Sequence, residues 1–350
     1  MGPGCIGRHD DHGACRLLHL LHPEVPRDRA RRRCSARLTA RAVNYKESHM
    51  KKIAFIGLGA MGKPIAERLL EGGYDLTVFD VNRDATASLV AAGARYAASP
   101  RAAAEEADAV FAMVPDAPDA EEVALGAKGV VHGIKAGTYY VDMSTIDPIT
   151  TRRIGARFSE VGVKMIDCPV GRTTKHAREG KLVLMIGGEP ADIDAMMPVF
   201  ERLGDTFIRC GPLGNGTATK CVNNYVAMAC NAISAEAFVI GKKAGLTPEH
   251  MLQVFGSTMA SNAQALQVFP QFALAGNTEP GFMISLGHKD LRLAIGLARS
   301  LDCNVPVGQA TIDVMAKAVE AGMGRKDCSS LLQMHEEAAG TTVRLTAARG

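Results

Sequence analysis

No apolar run in the 350 residues approaches the ~20 needed to cross a bilayer, so no membrane helix is expected. There is no C-x-x-C pair among the nine cysteines, and this removes the usual signature of a zinc or dithiol redox site. No metal is expected, and the scattered cysteines read as buried free thiols of a reducing cytosol. An excess of one charge is also missing where it would matter. The net +3 comes from residues 1–49, which carry ten Lys/Arg and five Asp/Glu; the remainder holds thirty basic and thirty-two acidic residues, a net of −2. That body has no basic face for a nucleic acid. Internal repeats and low-complexity tracts are absent from it as well.

What is present begins at Ile53. Four apolar residues, Ile53–Ile56, read as a buried strand, and Gly57-Leu58-Gly59-Ala60-Met61-Gly62 follows with G-x-G-x-x-G spacing. Residues 63–70 then carry helical periodicity, with 65, 66, 69 and 70 apolar. Strand, glycine turn and helix form the context in which this spacing means dinucleotide binding. Gly57 serves the tight turn, Gly59 the close approach of backbone to a pyrophosphate, and Gly62 the packing of helix on strand. A second strand, Leu76–Phe79, ends in Asp80, 23 positions beyond Gly57, where a ribose-binding carboxylate is expected. A carboxylate there favours NAD over NADP. Arg83 is either a solvated helix-start residue or a partner for a phosphate.

Further strands are expected over 108–114, 139–142, 163–167 and 182–186, with helices such as 100–106 and 149–161 between them. This alternation predicts an α/β fold, a Rossmann-type doubly wound and mostly parallel sheet. After Gly216 the texture becomes helical. Thr217 to Lys243 reads as one long helix ended by Gly245. Thr247-Pro248-Glu249 starts another, and helical patterns recur over 286–300 and 306–322. The expected organisation is an NAD-binding Rossmann domain over 50–212, an all-helical C-terminal domain for substrate and oligomerisation over 213–340, and a tail over 341–350.

Residues 1–49 are expected to be a disordered extension. They are Arg-rich like a transit peptide, but Asp10, Asp11, Glu24 and Asp28 oppose that reading. Met50-Lys51-Lys52-Ile53 resembles a bacterial start, and Lys46-Glu47 can be encoded AAG-GAG, a ribosome-binding sequence. Translation is therefore expected to begin at Met50, in a bacterial cytoplasm.

On the long helix, Lys220, Asn224 and Asn231 stand at i, i+4 and i+11, within about 40° of one another on the helical wheel. Such groups on a mostly apolar helix are costly to bury unless something polar meets them. Lys220 and Asn224 are the catalytic candidates. Hydride delivery to a carbonyl leaves an oxyanion, and an ammonium can stabilise that charge and donate the proton. Asn224 can orient Lys220 or hold the substrate oxygen.

Taken together these residues resemble the β-hydroxyacid dehydrogenases, the family of 3-hydroxyisobutyrate dehydrogenase, over essentially all of residues 50–340. Gly57–Pro64 resembles the family's cofactor signature, and Asp142-Met143-Ser144-Thr145 its strand-end segment. Gly211-x-x-Gly214-x-Gly216-x-x-x-Lys220-x-x-x-Asn224 resembles its catalytic signature, and Lys289-Asp290-Leu291 its C-terminal motif. The resemblance implies that Lys220 is the general acid/base. It implies an NAD site lined by Ala60, Met61, Asp80, Val114 and Thr145, with Lys289 reaching cofactor or substrate. Substrate contacts are implied for Ser144, Arg172, Thr173, Asn223 and Asn224.

One departure is informative. Where the family reads Asp-x-Pro-Val-Ser-Gly-Gly and cradles a carboxylate, this chain has Asp167-Cys168-Pro169-Val170-Gly171-Arg172-Thr173. A guanidinium brings a fork of charge-assisted donors, suited to a larger or tetrahedral anion such as a sulfonate. This variant, with Asn223-Asn224-Tyr225 and Ser234-Ala235-Glu236-Ala237, resembles the sulfolactaldehyde reductase branch. The resemblance implies NADH-dependent reduction of a short anionic aldehyde, 3-sulfolactaldehyde to dihydroxypropanesulfonate. Other expected substrates are 3-hydroxyisobutyrate, tartronate semialdehyde and 4-hydroxybutyrate/succinate semialdehyde. A non-catalytic NAD-binding module is the alternative from another class, and the Lys220–Asn224 pair argues against it. The family is commonly oligomeric, so a homodimer or homotetramer is expected.

Overall fold

The structure is a computed structural model that describes residues 50–346. The expectations for 1–49, disorder and a start at Met50, lie outside the described residues.

Among the described residues nine strands form one sheet, β1 (Lys52–Ile56), β2 (Asp75–Phe79), β3 (Arg95–Tyr96), β4 (Ala109–Ala112), β5 (Tyr139–Asp142), β6 (Lys164–Asp167), β7 (Val170–Gly171), β8 (Leu182–Gly187) and β9 (Gly204–Gly211). The order is β3-β2-β1-β4-β5-β6-β8-β7, with β9 paired to β8. From β3 to β6 every pairing is parallel. Strand β8 runs antiparallel to β6 and β7 and parallel to β9. The chain reverses its winding between β1 and β4, the switch point at which ligands bind in such sheets.

Among the helices of nine or more residues, α1 (Gly62–Glu71), α2 (Ala117–Leu125), α3 (Pro148–Glu160) and α4 (Pro190–Leu203) cover the sheet. Strand side chains alternate between two cores, as period 2 requires. Phe55, Phe111, Ile166 and Leu184 face α1 and α4, while Ala54, Val110 and Tyr140 face α3 through Phe158. The sequence pattern located β1, β2, β4, β5, β6 and β8, while β3, a two-residue edge strand with both residues exposed, carries no such pattern. Strands β7 and β9 went unmarked, because β7 has two residues and β9, GDTFIRCG, is polar and partly exposed along most of its length.

The helical part comprises α5 (Asn215–Lys243), α6 (Pro248–Ser257), α7 (Ile284–Ser300), α8 (Pro306–Ala318) and α9 (Leu331–Ala339) around a core that includes Phe238, Phe269, Leu291 and Met315. Helix α5 rises about 43 Å at 1.5 Å per residue. Its end is set by Gly245 in the left-handed region, φ 84°, with the Leu246 N–H closing on the Gly241 carbonyl at 2.9 Å. Thr247 caps α6 by accepting from the His250 N–H, as its sequence position predicts. The pattern over 306–322 resolves into α8 and a π-helical turn containing Gly322 at φ 79°. Residues 341–346 of the expected tail are packed. Val343 is fully buried, and the Leu345 N–H donates to Leu274 O at 3.0 Å.

Candidate active site

The glycine loop leaves β1 with Gly57 at φ 91°, its N–H donating to Phe79 O at 2.9 Å. A Cβ on Gly57 would lie 2.2 Å from the Met113 carbonyl oxygen, and one on Gly62 would lie 2.0 Å from Gly57 O. Only glycine allows this approach of loop, helix and neighbouring strand. Gly59 differs: a Cβ there meets no protein atom within 4 Å. Its backbone faces open space at the start of α1, whose N-cap residue Met61 makes no side-chain cap. A helix N-terminus left uncapped under an open glycine cradle fits a pyrophosphate. Asp80, at the end of β2, fits the ribose. Its Oδ2 accepts from the Leu58 N–H (2.6 Å) and its Oδ1 from the Asn82 N–H (2.7 Å), which fixes the carboxylate beside the loop. Arg83 packs over the Tyr96 ring at 5.0 Å from its centroid.

The loops after β4 and β5 are tied together. The Val114 N–H donates to Ser144 Oγ at 3.0 Å, and the Ser144 N–H donates to Asp142 Oδ1 at 2.9 Å. Asp142 is buried, with no partner on Oδ2, and burial pushes its carboxyl up to about 6. One residue on, the Thr145 carbonyl accepts from Lys289 Nζ at 2.7 Å, so α7 reaches the strand ends directly.

Helix α5 is anchored by Asp167 at the end of β6. This buried carboxylate accepts from the Gly214 N–H (2.8 Å), the Thr217 N–H (2.6 Å) and the Thr217 hydroxyl (2.7 Å). It satisfies the amides at the start of α5 and welds the helix to the sheet. Lys220 sits one turn further and donates from Nζ to the Val170 carbonyl at 2.8 Å. Burial lowers its pKa; the Asp290 carboxylate opposes that shift and the Lys289 ammonium adds to it. Buried Asp290 bridges Lys289 Nζ (3.0 Å) and the Asn224 amide (2.6 Å), and Asn224 Oδ1 accepts from Asn223 Nδ2 at 2.9 Å. Thus Lys220, Lys289, Asp290, Asn224 and Asn223 form one charged and amide cluster between α5 and α7, linked to the strand ends at Val170 and Thr145.

Several sequence-derived candidates make no hydrogen bond to this cluster. Asn231 is buried and donates to Gln264 Oε1 at 2.9 Å, so it belongs to the packing of the helical part. Thr173 bonds the His176 ring at 2.9 Å on an exposed segment. The Arg172 guanidinium is already engaged: it pairs with Asp205 Oδ1 at 2.7 Å and donates to the Lys181 carbonyl and Thr206 Oγ1. Asp142, Asp167 and Asp290 were missed as supporting residues. For Asp142 and Asp167 the signal was available, since an acid closing an apolar strand, as in YYVD and KMID, is expensive to bury without donors.

The geometry has counterparts. Residues 52–213 match the NAD-binding domain of 6-phosphogluconate dehydrogenase, and residues 214–335 match the NAD-binding domain of NADP-dependent 3-hydroxyisobutyrate dehydrogenase. The chain is 38% identical over 296 residues to the 3-sulfolactaldehyde reductase of Escherichia coli, covering 85% of this chain and 99% of that one. It is 35% identical to the 2-(hydroxymethyl)glutarate dehydrogenase of Eubacterium barkeri, covering 83% and 97%. The structure superposes on the 3-hydroxyisobutyrate dehydrogenase of Mycobacterium tuberculosis, solved with L-serine, with a TM-score of 0.76, 29% identity, and coverage of 81% and 99%. The glycine cradle, the anchored lysine helix and these matches along both parts of the chain agree: it belongs to the β-hydroxyacid dehydrogenase family, the NAD(P)-dependent oxidoreductases of the CH–OH/carbonyl pair related to 3-hydroxyisobutyrate dehydrogenase.

Proposed function

We propose that this protein is an NADH-dependent reductase of a short anionic aldehyde, with 3-sulfolactaldehyde, reduced to dihydroxypropanesulfonate, as the first choice of substrate. The observation that carries the reading is the half-buried Lys220 ammonium, held on the Val170 carbonyl beside Asp290 and Lys289, with its pKa lowered by burial. An ammonium in that state gives up its proton more readily than a solvated one. When bound, the dinucleotide supplies the hydride. Lys220 donates a proton to the carbonyl oxygen as charge develops there, and the lysine side chain stabilises that charge until it does. Asp290 fixes the Asn224 amide, because a carboxylate can only accept; the NH₂ end is therefore turned to Asp290 and the Oδ1 end to Asn223. Asn224 and Asn223 are assigned to holding the substrate. Lys289 is assigned to the cofactor side through its tie to Thr145.

Asp80 supports NAD over NADP, since a fixed carboxylate repels a 2′-phosphate and Arg83 is turned onto Tyr96. Gly57, Gly59, Ala60, Met61, Gly62, Val114 and Thr145 are assigned to the cofactor. Residues 50–212 are assigned to the nucleotide, and 213–340 to substrate and self-association. For the latter, Val222, Val226, Ile233 and Ile240, at 61%, 55%, 64% and 68% exposure, form one apolar stripe on α5 and support a homodimer or homotetramer. Arg172 is assigned to the anionic group, with Ser144 and Thr173 near the substrate.

An NADH-oxidation screen with sulfolactaldehyde, succinate semialdehyde, tartronate semialdehyde and methylmalonate semialdehyde tests the proposal. The highest kcat/KM is expected with sulfolactaldehyde. A preference for methylmalonate semialdehyde would move the protein to 3-hydroxyisobutyrate chemistry, and no NADH oxidation with any of them would remove the reductase reading.

A further inference from the structure

Arg172 stands two residues past Val170, whose carbonyl holds Lys220. It follows β7 at φ 77°, in the left-handed region, where Asp302 is the other non-glycine residue among those described. A side chain held there needs compensation from its surroundings. The guanidinium supplies it by reaching across the sheet: Nη1 pairs with Asp205 Oδ1 (2.7 Å) and donates to the Lys181 carbonyl, and Nη2 donates to Thr206 Oγ1 (3.4 Å). Lys181 immediately precedes β8, and Asp205 and Thr206 lie in β9. The Thr206 hydroxyl donates in turn to Asp205 at 2.8 Å.

A guanidinium is planar and presents five N–H groups along its edges. The terminal edge, Nη1 with Nη2, is taken up here by Asp205 and Thr206. The lateral edge, Nε–H with the second Nη2–H, makes no hydrogen bond among the described residues. Because the group is rigid, holding the terminal edge fixes the direction of the lateral one. Two parallel donors on one edge match two oxygens of a carboxylate or sulfonate.

We propose that Asp205, backed by the Lys181 carbonyl and the Thr206 hydroxyl, is a positioning residue that clamps Arg172 by its terminal edge and presents the lateral edge to the anionic group of the substrate. The inference rests on the assignment of Arg172 to that anion. The clamp makes Arg172 and Asp205 a neutral pair, so anion capture works through directed hydrogen bonds rather than through net charge. Thr206 and then Arg172 hold the Asp205 carboxyl below its usual range, which keeps the clamp ionised through the neutral pH range.

The test compares KM for succinate semialdehyde with KM for butanal, an uncharged aldehyde of the same length, in Asp205→Ala, Asp205→Asn, Asp205→Glu and Arg172→Gln. Asp205→Ala is expected to raise the anion-to-butanal KM ratio about fivefold, Asp205→Asn about twofold, and Asp205→Glu to restore most of the loss. Thr206→Val, which removes the Nη2 acceptor, gives a smaller rise and serves if Asp205→Ala fails to fold. A ratio that stays constant or falls in the Asp205 variants, while Arg172→Gln raises it, overturns the clamp and makes Asp205 a bystander or a competitor for the guanidinium. An unchanged ratio in Arg172→Gln removes the assignment of Arg172 itself.

Discussion

The two sides of the candidate active site are held by different kinds of bond. On the sheet side, backbone amides meet carboxylates: Leu58 and Asn82 on Asp80, Ser144 on Asp142, Gly214 and Thr217 on Asp167. On the helix side, side chains supply the donors: Asn224 and Lys289 to Asp290, Asn223 to Asn224, Lys220 to the Val170 carbonyl and Lys289 to the Thr145 carbonyl. The first arrangement follows from the path of the chain and is sensitive to any added atom. The second is a short row of charges and amides that a single substitution can unlink without moving the backbone. Cofactor binding should therefore fail through geometry, and proton transfer through chemistry.

The largest expected effect tests the helix side. Lys220→Ala should lower kcat by about 10³-fold, within the range for loss of a general acid, while NADH Kd, read by fluorescence titration, stays within twofold. A loss of NADH affinity of similar size would erase the contrast between the two sides. The sheet side is tested by a pair of glycines. Gly57→Ala places a Cβ against the Met113 carbonyl at a positive φ and should cost roughly 3 kcal/mol or more of stability in denaturant unfolding. Gly59→Ala adds a methyl to open space and should leave stability unchanged while weakening NADH binding about tenfold. Equal effects of the two on stability would mean that the loop is not built as described.

Asp290→Asn sharpens the comparison. The substitution keeps the shape but removes the charge that favours the Lys220 ammonium, so the Lys220 pKa should fall further. In the proposed role of Lys220 as proton donor, aldehyde reduction needs that ammonium, and its rate falls as pH rises through the pKa. The alkaline limb of the reduction profile should move to lower pH, so that kcat measured on that limb drops. An unmoved limb would separate Asp290 from Lys220.

How much of this was legible in the sequence follows the same division. Strands β1, β2, β4, β5 and β6, the glycine loop, Asp80 and the lysine of α5 were readable, because period, turn chemistry and spacing are local properties. Asn231 shares the helical face of Lys220 and was grouped with it, yet it bonds Gln264. Phase on a helix gives direction, and depth along a 29-residue axis decides which neighbour is met. Strand β9 and the Arg172 clamp were unreadable for a related reason. The pairing of Arg172 with Asp205 spans 33 residues and the whole of β8, which no local pattern encodes. Asp167 lay in view as the acid closing β6, but its donors sit 47 and 50 residues away on the start of α5.

The smallest effect concerns the sheet side alone and separates stability from catalysis. Asp142 is buried, its Oδ2 has no partner, and its carboxyl is pushed up to about 6 from an ordinary 3.8. A carboxyl raised in the folded state destabilises the fold wherever it is forced to ionise: the penalty is absent below about pH 4, grows between pH 4 and 6, and is complete above that. Asp142→Asn removes the ionisation and keeps an oxygen to accept from the Ser144 N–H. Its new NH₂ group is left as poorly partnered as Oδ2 was, which offsets part of the gain. Thermal unfolding should therefore show the variant more stable than the parent by about 1–2 kcal/mol at pH 8, and equal or slightly less stable at pH 4. Turnover need not follow stability, because the same substitution weakens the acceptor that fixes Ser144 and, through it, the Val114 loop. A stability difference that is constant from pH 4 to pH 8 would show that Asp142 is neutral or already well partnered at every pH, and the sheet side would then owe its order to chain path alone.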